Sequence, residues 1–170
     1  MSPVGEHRKA AENLVVRFCV VVTSDAVYEG RRQDEVTPLI ASLVTEAGHI
    51  LVNAAIAPNR PDEIRKAVTI ASKECDVVIV TGGTGISRRD ISVDVVKELC
   101  VKDLPGFGEL FRYLTFTKHG TAAIATRAFA CATDSTLVFV TPGSKDAVSM
   151  ALTELILPEA KHLVYEIRKS

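Results

Sequence analysis

The chain has 170 residues, 47% of them hydrophobic, with 20 basic against 21 acidic side chains and a formal net charge of −1. That length suffices for a domain with its own core, and the charge balance supplies no field for nonspecific nucleic-acid binding. No apolar stretch approaches the ~20 residues needed to cross a membrane, so the expectation is a cytoplasmic protein of small ligands, with neither nucleic acid nor membrane as partner.

In chain order, residues 1–13 read as a polar tail and residues 14–170 as a single domain. "RFCVVVTSD" is a short unbroken apolar run, the pattern of a strand covered on both faces. "TPLIASLVTEAGHI" has helical spacing and stops at Gly48. "ILVNAAIAPN" is a second strand, and "RPDEIRKAVTIASKEC" opens on Pro61 and two acids, which suit a first helical turn. Its Ile64, Ala67, Val68 and Ala71 share one helical face. "DVVIVTGG" is a third buried strand; "DVVKELC" and "FGELFRYLTF" are helices, the second turning Phe107, Leu110, Phe111 and Leu114 inward. Residues 121–135 fit either a helix or a short antiparallel strand at the sheet edge. "STLVFVTPG" is a further strand, and "KDAVSMALTELILPEAKHLVYEIRK" forms one or two closing helices, broken near Pro158. Strand and helix alternate throughout, which predicts an α/β fold of three layers, a mostly parallel sheet with helices on both faces.

Cys19, Cys75, Cys100 and Cys131 lie far apart, with no CxxC pair, and are expected to be buried reduced thiols. His7, His49, His119 and His162 fall at tails or element ends and are expected at the surface. A mean hydropathy of +0.20 leaves apolar surface in excess of a minimal monomer's need, which favours burial between subunits.

In a fold of this kind ligands sit beyond the carboxyl ends of the strands. Four segments end strands with small or polar residues: Thr23-Ser24-Asp25, Ala57-Pro58-Asn59, Thr81-Gly82-Gly83-Thr84-Gly85 and Thr141-Pro142-Gly143-Ser144. The glycine loop matches neither the P-loop nor the dinucleotide fingerprint, whose third glycine is replaced by Arg88. It fits best an anion cradle, with glycine backbone N–H groups turned inward, and otherwise a tight strand-to-helix turn. Asp90 beside such a loop fits either a Mg²⁺ ligand shared with phosphate or a helix cap. Gly143 and Ser144 lead into a helix N-terminus that suits an anion or a simple cap.

The succession "TSD…EG", "TGGTGISRRD", "PGFGELFR" and "TPGS" resembles the MoaB/Mog family of molybdenum-cofactor biosynthesis, over roughly residues 18–156, and is most similar to its MoaB branch. The resemblance implies a molybdopterin-binding-like fold and trimers or hexamers. It also implies Mg²⁺-dependent transfer of AMP from ATP to the terminal phosphate of molybdopterin, with release of pyrophosphate and hand-over of the product to a molybdate- or tungstate-inserting protein. Carried onto this chain, Thr81, Gly82, Gly83, Thr84 and Gly85 would bind ATP phosphates, with Ser24 and Asp25 beside them. Asp90 would hold the metal, Glu109 and Arg127 would line the pocket, and Pro142, Gly143 and Ser144 would lie at the phosphate and pterin end. The chain departs from the family at Asn59, where an aspartate that also serves the metal is usual, and at Val36-Thr37, where Ser-Gly is frequent. A noncatalytic molybdopterin carrier of the same fold is the alternative reading.

Overall fold

The computed structural model describes Lys9 and residues 11–169; most of the predicted polar tail lies outside the described residues. Strands β1 (Arg17–Thr23), β2 (Ile50–Ala57), β3 (Val77–Thr81), β4 (Lys102–Asp103), β5 (Phe129–Ala132) and β6 (Leu137–Thr141) form one sheet in the order β2-β1-β3-β6-β5-β4. The first four in that order are parallel; β5 pairs antiparallel with β6, and β4 antiparallel with β5 at the far edge. The strand alternative for residues 121–135 therefore holds in part: Gly120–Ala125 is a 3₁₀ turn and β5 follows, inside the edge that β4 occupies.

Alternation along the strands sorts the core into two layers. Val20, Val22, Ile79 and Phe139 face α2 (Val36–Glu46), α5 (Pro105–His119), α6 (Lys145–Met150) and α7 (Leu157–Ile167). Cys19, Val21, Val80 and Val140 face α3 (Pro61–Glu74) and α4 (Ser92–Lys97). The remaining helix, α1 (Asp25–Tyr28), is a single turn capped by Ser24. Ile64, Val68 and Ala71 of α3 are buried as their spacing predicts. In α5 the inward face is narrower than expected: Phe107 and Phe111 are buried, but Leu110 is 54% exposed, because the helix packs its 107/111 edge on Phe139.

Three further expectations are corrected. The closing helix is not broken at Pro158; a π-helical stretch, Ala151–Ile156, joins α6 to α7, and Pro158 sits in the first turn of α7. His49 is buried, tilted on the Phe18 ring, and its Nδ1 accepts the Val16 N–H at 3.3 Å. The cysteines are not free thiols: Cys19 pairs with Cys75 and Cys100 with Cys131, each with Cα atoms 5.8 Å apart. Each bond joins a sheet residue to a cysteine after a helix on the same face: Cys75 directly follows α3 and Cys100 lies three residues past α4. The crossover connections bring them together although 56 and 31 positions separate them in sequence.

Candidate functional site

Because β1, β2, β3 and β6 are parallel, their four terminal loops share one edge of the sheet, as expected. Direct contacts tie them together. Ser24 N–H donates to the Ala57 carbonyl, Gly82 N–H donates to the Thr141 carbonyl, and Gly143 packs on Gly82.

The glycine loop needs its glycines for two reasons. Gly82 and Gly83 have φ of +99° and +67°, a region closed to most side chains. Added Cβ atoms would also collide with the Thr23 carbonyl and with the Ser92 hydroxyl. Gly85 lies close to Asp90, where a Cβ would stand 2.7 Å from Oδ2. Beneath the turn, the Thr81 and Thr141 hydroxyls are buried and have no hydrogen-bond partner among the described residues. Since the two residues pair across β3 and β6, both hydroxyls lie on the α2/α6 side of the sheet.

On that side opens a recess of about 440 Å³, lined by Ser24, Arg32, Thr81, Gly82, Gly83 and Ser144, among others. Ser144 caps α6, its hydroxyl accepting the Ala147 N–H at 3.2 Å. The cations Arg32 and Lys145 border the recess; Arg32 donates to Ser24 Oγ and Lys145 stands 3.6 Å from Glu35. Arg32 was not among the residues singled out from sequence, and the "RRQDE" run offered no signal to separate it from a solvated loop. The Val36-Thr37 helix entry is closed by Asp34, whose Oδ1 accepts both backbone N–H groups at 3.0 Å.

Asp90 does not cap α4, whose N-terminus has no side-chain cap. Its Oδ2 accepts the Ser87 N–H at 2.9 Å and so closes the turn after the glycine loop. Arg127 is spent on the same loop. Four of its N–H groups hold Gly85 O at 2.8 Å, Asp90 O at 2.5 Å and the two Asp94 oxygens at 2.9 and 3.0 Å. Its backbone N–H also donates to Thr84 O. Arg127 is thus a clamp on the loop while it also lines a recess with Glu109, and its hydrogen bond holds the Asp94 carboxyl below its ordinary range. Glu109 lies in a separate recess of about 460 Å³ with Lys97 and Arg112, on the flank of the Arg127 clamp.

Asn59 meets Asp25, not Asp90. Its backbone N–H donates to Asp25 Oδ1 at 2.8 Å and its Nδ2 to Oδ2 at 3.3 Å, while its own Oδ1 is buried without a partner among the described residues. The Asn59 backbone bond is the largest influence holding the Asp25 carboxyl below its ordinary range; the nearby Arg89 and Arg60 act in the same direction. Ser92, buried and 2.9 Å from Thr23 Oγ1, is a further residue that sequence reasoning missed. Among the described residues no three His, Cys, Asp or Glu side chains form a metal cage, and no helix is long and apolar enough to cross a membrane.

A three-layer α/β domain with a glycine-turn recess at the carboxyl edge of its parallel strands is the class this fold and site define. Residues 19–162 match the family described as probable molybdopterin binding domain. The chain is 40% identical to molybdenum cofactor biosynthesis protein B of Bacillus subtilis, over 98% of each. It is also similar to the crystal structure of the tungsten cofactor synthesizing protein MoaB from Pyrococcus furiosus, at 37% identity and a TM-score of 0.84, covering 91% of this chain and 98% of that one. A MogA structure, at 24% identity and a TM-score of 0.82, shares the fold. The chain belongs to the MoaB/Mog family of molybdenum-cofactor biosynthesis proteins.

Proposed function

We propose that this protein acts in biosynthesis of the molybdenum or tungsten cofactor, transferring AMP from ATP to the terminal phosphate of molybdopterin and releasing pyrophosphate. The observation that carries the reading is the Gly82-Gly83 turn, which opens on a recess bordered by Arg32 and Lys145 and stands two buried, unpartnered threonine hydroxyls from the sheet. Fixed cations beside a close backbone approach of this kind suit a polyphosphate. Phosphoryl-type transfer asks a protein for positioning and charge neutralisation more than for a covalent nucleophile.

A divalent cation fits the donor set. Mg²⁺ is commonly held by one or two carboxylates together with substrate phosphates, and needs no cage made only of protein. Asp90 keeps acceptor capacity beyond the Ser87 bond, and the Asn59 carboxamide oxygen is buried and unpartnered. When bound, Mg²⁺ would neutralise charge that develops on the phosphates. Asp90 and Asn59 are the residues assigned to it, Gly82 to Gly85 to the ATP phosphates, and Gly143 and Ser144 to the pterin-phosphate end.

Self-association is part of the proposal. The outer strand β2 leaves Ile50, Val52 and Ile56 between 42% and 52% exposed along an open edge, a surface that soluble chains rarely leave uncovered. Light scattering should return a mass above 18.3 kDa; a monomer mass at micromolar concentration would exclude it.

The activity is tested by incubating the protein with ATP, Mg²⁺ and molybdopterin and measuring pyrophosphate and the adenylylated pterin. Turnover is expected, and Asp90→Asn should reduce it by at least about a hundredfold. Binding of both substrates with no turnover would leave the carrier reading in its place.

A further inference from the structure

We propose that the Cys100–Cys131 bond is a site of thiol–disulfide exchange with a dithiol, and that its reduction loosens the glycine loop. The inference concerns the loop itself and holds whichever ligand the loop binds. Three contacts tie the α4 segment to the segment that runs into β5, in step along both. Asp94 accepts the forked pair from Arg127 at 2.9 and 3.0 Å, Lys97 Nζ stands 5.2 Å from the centre of the Phe129 ring, and Cys100 is bonded to Cys131. The helical partners recur at every third residue and the strand partners at every second. Each spacing keeps side chains on a single face. Past α4 the chain winds on in tight turns, with Leu99 N–H donating to Val96 O and Cys100 N–H to Lys97 O, and positions three apart in such turns nearly eclipse. In a strand, positions two apart share a face.

One end of this ladder is the clamp on the glycine loop. The guanidinium that meets Asp94 also holds Gly85 O and Asp90 O. Helix α4 itself begins on the loop: Ser92 N–H donates to Gly83 O, and the buried Ser92 hydroxyl touches Thr23 Oγ1 at 2.9 Å. Loop, α4 and the segment into β5 thus form one unit, and the disulfide at its far end is the covalent rung. The other two rungs are weak. Asp94 is 59% exposed, so solvent screens its ion pair, and Lys97 is an exposed cation over a ring. With the bond cut, residues 94–100 are held by these rungs and by the buried Val95 and Val96 side chains. The segment then opens locally more often, and the clamp on the loop opens with it.

Access singles out this bond. Cys100 is partly exposed, whereas Cys131, Cys19 and Cys75 are buried. A thiolate of the dithiol attacks Cys100 Sγ, the bond between the two cysteines breaks, and its electron pair leaves on Cys131 Sγ, which takes up a proton. The second thiolate of the dithiol then attacks the mixed disulfide, and Cys100 leaves and is protonated in turn. Two electrons and two protons pass to the protein, and the dithiol ends as a disulfide. Cys131 is left in the apolar layer of Val96, Val138 and Val140, which suits a neutral thiol. Neither residue of the Cys19–Cys75 bond is more than 3% exposed, so that bond exchanges only when the domain opens.

The test uses the full chain with dithiothreitol as the dithiol. Samples taken over time are quenched in acid, unfolded and alkylated, and the labelled cysteines are identified by peptide mass spectrometry. Cys100 and Cys131 should be reduced at least about tenfold faster than Cys19 and Cys75. In protein reduced at that one bond, hydrogen exchange over residues 82–87 should be at least about tenfold faster than in the oxidised protein, while β1 and β3 keep their protection. The double variant Cys100→Ala with Cys131→Ala should show the faster exchange without reductant and no further response to it. Cys19→Ala with Cys75→Ala should respond to reductant as wild type does. Reduction of both bonds at one rate, with protection lost everywhere, would overturn the selective site. Unchanged exchange over residues 82–87 in wild-type protein that has lost only the Cys100–Cys131 bond would overturn the coupling, whether or not the alanine variants fold.

Discussion

Replacing Arg127 by methionine keeps the length of the side chain and removes the clamp on the glycine loop. The guanidinium makes two bonds to backbone carbonyls, Gly85 O and Asp90 O, and a forked pair with Asp94. Bonds from a charged donor contribute about 1.5 kcal/mol each, and loss of the donor leaves both carbonyls short of a partner. The Asp94 side chain is 59% exposed, so solvent screens the pair to roughly 0.5 kcal/mol. The total is about 3.5 kcal/mol, or a melting temperature lower by roughly 7–14 °C for a domain of this size. The pair adds a signature in pH. With its folded-state pKa lowered, Asp94 contributes stability above its unfolded value of about 3.9 and loses it as pH falls through the folded value. The gap between wild type and Arg127→Met should therefore narrow in acid. Thermal melts at pH 7 and below pH 4 measure both effects, and hydrogen exchange should show faster exchange at Ser87, whose N–H depends on Asp90. A melting temperature within about 2 °C of wild type at pH 7, with protection at Ser87 unchanged, would show that the clamp does not hold the loop.

Other expectations follow from single contacts. Native protein should titrate with no free thiol among Cys19, Cys75, Cys100 and Cys131. Reduction should lower stability by about 4 kcal/mol for each bond, given the 56- and 31-residue separations they close, and an unchanged melt in reductant would refute this. Gly82→Ala should cost about 2 kcal/mol or more, because alanine is strained at φ +99° and meets the Thr23 carbonyl; differential scanning calorimetry would detect it, and a wild-type melt would show that the turn relaxes freely. Burial pushes the His49 imidazole below its ordinary pKa, so the stability it contributes is complete above about pH 6.5 and declines as pH falls toward the folded value. His49→Gln should flatten that slope in urea melts, and an identical slope in the variant would assign it to another group.

Much of the architecture was written in local pattern. Unbroken apolar runs marked β1, β3 and β6, and the 64/67/68/71 spacing marked the buried face of α3, because each pattern needs only neighbours within a few residues. From parallel strands it followed that the four polar loops share one edge, so the place of the site was legible before any coordinate. The family followed from the motif order, and the comparisons agree with it.

What only the tertiary structure decided were relations between residues far apart in the chain. The cysteines looked like separate thiols because no local spacing records a 56-residue crossover. His49 looked like an element end because nothing near it in sequence announces the Phe18 ring. That Arg127 also clamps the glycine loop could not be read from sequence, because its donors end on Gly85, Asp90 and Asp94, some 33 to 42 positions earlier. Asn59 read as a charge lost from the site, and its contact with Asp25, 34 residues away, supplies a carboxylate beside it. A sequence states which groups are present and how they repeat along one element. Which donor meets which acceptor is set by how the layers pack, and at this sheet edge that pairing decides which side chains are spent on the scaffold and which remain for a ligand.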